Sequence, residues 1–224
     1  MAILHRAEVT PSKIELVQAW APHQPYFVGD APAELSLTAS FRYDDPEGEV
    51  GIETLIVRVS DDELLHVPVT YRGAPLEGGE PWLIGTMEHS VLGSRWVYDA
   101  TGDPAYLGEL ATAAFSGGTE VEQFVAIEGV LVPRESTAHA VGSGGGSGSR
   151  TVAAPAPGSV SSDYDGRATV VVAGELRYAI ARRITPEPVD VLAGYGDDAS
   201  GRQTVSATWA DRGAPFVLAA VWER

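Results

Sequence analysis

Hydrophobic and polar positions in this chain alternate more often than they recur at helical spacing. Glu34 to Tyr43 alternates through Leu35, Leu37, Ala39 and Phe41, and Asp44-Asp45-Pro46-Glu47-Gly48 then supplies turn chemistry. Val50, Ile52, Thr54 and Ile56 interleave with Leu55, Val57 and Val59, and after Ser60-Asp61-Asp62 a further run extends from Leu64 to Tyr71. Successive side chains on a strand face opposite ways, so runs joined by tight acidic turns predict an antiparallel meander. Ala2 to Val9 predicts a strand at the N-terminus, and Trp82 to Thr86 and Arg95 to Asp99 predict short strands beyond a Gly/Pro-rich loop.

Two stretches carry helical spacing. Thr10-Pro11 offers a cap oxygen and a proline at the first helical position, and Ile14, Leu16, Val17 and Trp20 form an apolar stripe that ends before Pro22 and Pro25. Asp103-Pro104 opens a second helix, with Tyr106, Leu107, Leu110, Ala113 and Ala114 on one side and Gly117-Gly118 as its stop. Val121 to Val132 fits a helix or a strand equally well.

The clearest boundary is Gly142 to Ser149, followed by an Ala/Pro/Gly stretch and Ser159 to Ser162. Gly and Ser maximise backbone freedom and offer nothing to bury, so residues 135–162 read as a flexible linker between a domain at 1–134 and a segment at 163–224. Within that last segment Ala168 to Ala173, Leu176 to Ile184, Thr204 to Trp209 and Phe216 to Trp222 are β-rich. They form a small sheet of their own or complete the first one. The expected class is α+β: a mainly antiparallel sheet with two short helices packed on it, plus a β-rich C-terminal segment.

Composition narrows the function. A compact chain of this mass buries about 70% of the surface that it exposes when extended, so a substantial core is available. The formal net charge is −16 and Lys13 is the sole lysine, which makes nucleic acid and anionic lipid poor partners. The absence of cysteine excludes disulfides, thiolate metal sites and Cys nucleophiles. His5, Arg6 and Glu8 interrupt the apolar stretch that a standard export signal needs, and no run is long enough to span a membrane as a helix.

Familiar catalytic motifs are missing. The lysine follows Ser12 and not a glycine-rich loop, no histidine stands in a His-Glu-x-x-His setting, and the Gly-x-Ser-x-Gly elbow is absent. Gly194-Tyr195-Gly196-Asp197-Asp198-Ala199 matches a dinucleotide fingerprint in letters only, because two aspartates occupy the phosphate cradle. The densest polar stretch is Gly85 to Asp99, continued to Asp103. There Glu88 beside His89 could orient an imidazole, with Asp99 or Asp103 as a further carboxylate. Neighbours on a strand point apart, so that pair shares a site only in a loop. Arg72, Glu88, His89, Arg95, Trp96, Tyr98 and Asp99 form the candidate binding surface, since arginines beside aromatics pair charge and stack on sugars or partners. The competing reading is an aromatic core edged by solvated arginines. No metal site and no cofactor are expected.

The opening His5-Arg6-Ala7 with Thr10-Pro11-Ser12-Lys13, the block Val69-Thr70-Tyr71-Arg72-Gly73-Ala74-Pro75-Leu76 and the stretch Gly85 to Asp99 resemble the maltokinase N-terminal cap-like family. The resemblance covers most of residues 1–135 and implies a helix-plus-antiparallel-sheet module, a place in maltose, trehalose and α-glucan metabolism, and a cytoplasmic location. It implies no catalytic residue here. No histidine is followed by Gly-Asp or x-Asp, and no asparagine exists to hold a metal. The expectation is a stand-alone, non-catalytic accessory or regulatory protein that binds a sugar kinase or another α-glucan or trehalose enzyme. The alternatives are a saccharide-binding module for an oligosaccharide, using Trp82, Trp96, Tyr98 and nearby carboxylates, and a small carbohydrate-active enzyme centred on Glu88, His89, Asp99 and Asp103.

Overall fold

The computed structural model describes residues 2–4, 7–29, 34–127, 130–145, 150–186, 190–199, 201–210 and 212–224. His5 and Arg6 of the opening block, and 146–149 of the Gly/Ser run, lie outside the described residues. In chain order the elements are β1 (Ala2–Leu4), β2 (Val9–Thr10), α1 (Lys13–Trp20), β3 (Ser36–Tyr43), β4 (Gly51–Arg58), β5 (Leu64–Arg72), β6 (Leu83–His89), β7 (Gly93–Asp99) and α2 (Pro104–Ser116). They continue with β8 (Gln123–Ile127), β9 (Val130–Arg134), β10 (Ala138–Gly142), β11 (Val160–Tyr164), β12 (Ala168–Ala173), β13 (Leu176–Ala181), β14 (Arg183–Ile184), β15 (Gln203–Trp209) and β16 (Arg212–Glu223).

The strands form a sheet of order β2-β6-β7-β5-β4-β3 with β14 also on β5, a sheet of order β10-β15-β16-β13-β12-β11, and a small sheet of order β1-β8-β9. This overturns the α+β expectation, because the fold is essentially all-β with two helices set against sheets. Val121 to Val132 decides part of the difference. Its β-branched residues suit a pleated surface better than a crowded helix, and it forms the paired strands β8 and β9. The C-terminal segment decides the rest by building a sheet with β10, while β14 alone joins the first sheet at Leu64 and Leu65. Strand β10 thus falls within the stretch read as a linker, and β11 begins within it.

Alternation in β4 is what makes the first sheet central. Leu55 and Val57 join Val17, Leu65, Val67 and Val97 in a cluster beneath α1, whereas Ile52 and Ile56 pack with α2 and the C-terminal sheet. Burial on both faces explains the near-continuous apolar run of β4. Helix α1 starts two residues later than Thr10-Pro11 implies. Ser12 is its cap: the Ser12 hydroxyl accepts from the Glu15 N–H at 3.3 Å and the Glu15 carboxylate accepts from the Ser12 N–H at 2.7 Å. Helix α2 follows its sequence signals, with Asp103 as cap, Pro104 at the first position and Gly117 at φ 69° ending it. Gly194 and Gly196 lie in a run of turns, and the Asp197 carboxylate accepts from the Gly194 N–H at 3.0 Å. Among the described residues no helix is long and apolar enough to cross a membrane.

Candidate functional site

Cross-strand partners share a face of a sheet, so the register sorts the residues singled out from sequence. Arg72 stands opposite Trp96, Thr70 opposite Tyr98, and Glu88 opposite Ser94, which places Arg72, Glu88, Trp96 and Tyr98 on one face. His89, Arg95 and Asp99 alternate onto the face of Met87 and Val97, towards α1. Arg72 binds Asp103 through two hydrogen bonds of 2.7 and 2.6 Å, and these bonds with the carboxylate charge raise its pKa. Tyr98 is buried and its hydroxyl accepts from the Leu76 N–H at 2.9 Å. The exposed Glu88 accepts from the Ser94 hydroxyl at 2.7 Å. The His89 Nδ1 accepts from the Val91 and Leu92 N–H groups, which makes it a turn residue. Arg95 and Trp96 are half-buried along β7. Asp99 is buried at the end of that strand.

Asp99 leads to what sequence reasoning missed. The face of β5 turned away from α1 carries His66 and Thr70, both buried. The chain supplies their partners from far away. The Thr70 hydroxyl donates to Asp103 at 2.7 Å, the His66 N–H donates to the Arg182 carbonyl at 2.9 Å, and the His66 Nδ1–H donates to the Ala181 carbonyl at 2.7 Å. Arg182 occupies the break between β13 and β14, where the chain leaves one sheet to pair with β5 of the other. It is 1% exposed. Its Nη2 donates to Asp99 at 2.7 Å and Thr101 at 3.0 Å, and its Nε to Thr169 at 2.7 Å. The guanidinium also lies 5.0 Å from the centroid of the Tyr26 ring. Burial opposes its charge, but Asp99 and Tyr26 outweigh that and raise its pKa.

Above this guanidinium opens a cleft of about 230 Å³ between the two larger sheets. Trp20 and Tyr26 reach it from the end of α1 and the turn beyond, Trp82 from the turn before β6, and Ser162, Asp163 and Tyr164 from β11. Trp82 is held by its indole N–H, which donates to the Ser162 hydroxyl at 2.8 Å. It is also seated by Gly102, since a Cβ there would come within 2.0 Å of the indole ring. Two buried polar atoms at the cleft have no hydrogen-bond partner, Arg182 Nη1 and the Tyr26 hydroxyl. Burial pushes the Tyr26 pKa far up, so the phenol keeps its proton. The sequence signal for this site is faint: an arginine pair closing an apolar strand, Ala179-Ile180-Ala181-Arg182-Arg183.

A second group surrounds Glu53, which is buried and accepts from Lys13 at 2.7 Å, Arg42 at 3.1 Å and the Tyr71 hydroxyl at 2.9 Å. Burial alone would raise its pKa, but Arg42 and Lys13 prevail and hold it at about 2. Its hydrogen-bonding capacity is filled from three sides, which is the arrangement of a structural anchor.

No curated protein matches this chain. The cleft does coincide with the limits of a family match. Trp20, Tyr26, Trp82, Asp99 and Thr101 fall within it, and the β11 residues, Thr169 and Arg182 fall beyond it. The match is narrower than the 1–134 domain read from sequence, covering a little over a third of the chain. Residues 20–103, from the last residue of α1 to the cap of α2, match the maltokinase N-terminal cap domain, the family that the blocks Val69 to Leu76 and Gly85 to Asp99 resemble.

Proposed function

We propose that this chain is a non-catalytic accessory or regulatory protein of maltose, trehalose or α-glucan metabolism, and that it acts in the cytoplasm by binding an enzyme of that metabolism. The cap-domain match supports the metabolic setting. The observation that supports a binding role is strand β9, an edge strand exposed at every position, with Val130 63%, Leu131 43% and Val132 41% exposed. Native proteins blunt exposed apolar edges or use them for contact. The net charge of −16 selects a partner whose apolar patch carries a basic rim. Co-purification from the source cell tests the reading. The expected result is capture of a sugar kinase or an α-glucan or trehalose enzyme, lost with Leu131→Asp in a chain that still melts normally. Failure to retain any such enzyme, or retention unaffected by Leu131→Asp, overturns it.

A further inference from the structure

We infer that the cleft over Arg182 is a binding site for a neutral polyhydroxylated ring of the hexopyranose kind. This stands on the cleft alone and does not rest on the partner-enzyme reading. The two unsatisfied polar atoms carry it. Arg182 Nη1 belongs to a side chain 1% exposed, and Tyr26 is 3% exposed, yet neither that nitrogen nor the Tyr26 hydroxyl has a hydrogen-bond partner in the protein. Leaving a buried polar group unpaired costs about 1–3 kcal/mol, so a ligand hydroxyl that reaches either atom recovers energy that folding left unclaimed.

The charges select the ligand class. The Arg182 cation is already matched by Asp99, and Asp163 adds a second carboxylate at the rim. A phosphate or carboxylate ligand meets those two carboxylates, and a cationic ligand meets the positive charge of Arg182. A polyol avoids both conflicts. One hydroxyl oxygen accepts from Arg182 Nη1 while another hydroxyl donates to Asp163. The walls agree with this choice, since Trp20, Trp82 and Tyr164 present aromatic surface to the C–H faces of a sugar ring. The volume of about 230 Å³ is below the ~300–1,000 Å³ of drug-sized sites, which limits the enclosed part of the ligand to a single ring.

The test is titration of the full chain with glucose, maltose and maltoheptaose, followed by tryptophan fluorescence and calorimetry, with glucose 6-phosphate and choline as charged controls. Saturable binding of a neutral sugar is expected, weakened about tenfold or more by Trp82→Ala. Because Arg182 variants threaten the fold, Asp163→Asn at the exposed rim is the second variant and weakens binding in the same direction. Equal affinity for all three sugars identifies a free ring as occupant, and preference for maltoheptaose identifies the end of a glucan; both uphold the site. Binding of a charged control alone, no saturable binding of any neutral sugar, or sugar binding unchanged in both variants overturns it. A chain that binds sugar but captures no enzyme upholds the cleft and rejects the partner reading.

Discussion

The Arg182 guanidinium donates to the Asp99 carboxylate at 2.7 Å across 83 positions of sequence. One end of this pair closes β7, inside the cap-domain match, and the other lies where the C-terminal sheet hands the chain to β14. Both residues are buried, so the attraction acts where water does not weaken it, and it fastens the two larger sheets at one point.

Removing one partner of that pair is expected to be far more damaging than its size suggests. Arg182→Met leaves Asp99 buried without a cation, and about 3–5 kcal/mol of stability is expected to be lost. The double variant with Asp99→Asn is expected to recover part of this loss. Urea unfolding midpoints at constant m-value check both; a double variant no more stable than Arg182→Met contradicts the pairing.

Acid is expected to destabilise the fold in two overlapping steps. Burial first, and the Arg182 charge as well, push His66 down to about 3 from its ordinary 6.5, against a weaker opposing effect of the Ala181 carbonyl. Between those values the unfolded chain takes up a proton that the folded chain refuses, so stability falls as pH falls through the window. Glu53, held at about 2 against an ordinary 4.5, adds a loss below pH 4.5. His66→Gln is expected to flatten the slope between pH 6.5 and 4.5 and to leave only the Glu53 loss below pH 4.5. Urea midpoints across that range measure it, and an unchanged upper slope contradicts the assignment to His66.

Arg72 and Arg95 are expected to differ sharply although both belong to the surface read from sequence. Asp103 is fully buried and accepts from Arg72, from the Thr70 hydroxyl and, at 3.0 Å, from the Ala105 N–H at the start of α2. Arg72→Met thus strips the cation from the residue that also caps a helix, at a cost of about 3 kcal/mol. Arg95→Met is expected to cost about 1 kcal/mol or less. Thermal melts of the two single variants decide it, and equal losses contradict it.

Gly142 is expected to tolerate no side chain. At the end of β10 it lies against helix α2, and a Cβ there would collide with the Ala113 carbonyl oxygen, a backbone atom that cannot turn aside. Gly142→Ala is expected to lower stability by about 1–3 kcal/mol or more through forced separation of helix and strand. Gly145→Ala, which meets nothing, serves as the control. Denaturation of both variants tests this.

Limited proteolysis is expected to cut first in the part of the Gly/Ser run that follows Gly144, whose composition offers little to resist a protease. The fragments are expected to co-elute on a sizing column. Strand β10, on the N-terminal side of the cut, pairs with β15 over Ala138 to Gly142, and β14 pairs with β5 in the other sheet. Separation without denaturant contradicts this arrangement.

Much of the first sheet was legible because it obeys local rules. The alternation from Glu34 to Tyr71 and the acidic turns specify β3, β4 and β5, and Asp103-Pro104 with Gly117 specifies α2 at both ends. Composition settled the absence of cysteine chemistry. The fold class was not legible, because Val121 to Val132 is compatible with two periods and only pairing with β1 and between β8 and β9 chose one. Gly142 was read as part of a linker, yet its lack of a side chain is what lets β10 approach α2. The candidate site moved for a related reason. Tyr98 and Asp99 are adjacent in sequence, but strand alternation sends them to opposite faces, and the partner of Asp99 comes from a strand end that no local pattern connects to it. Local sequence fixes which way a side chain points along its own element; the burial that leaves Arg182 and Tyr26 short of partners exists only once two distant sheets have closed over them.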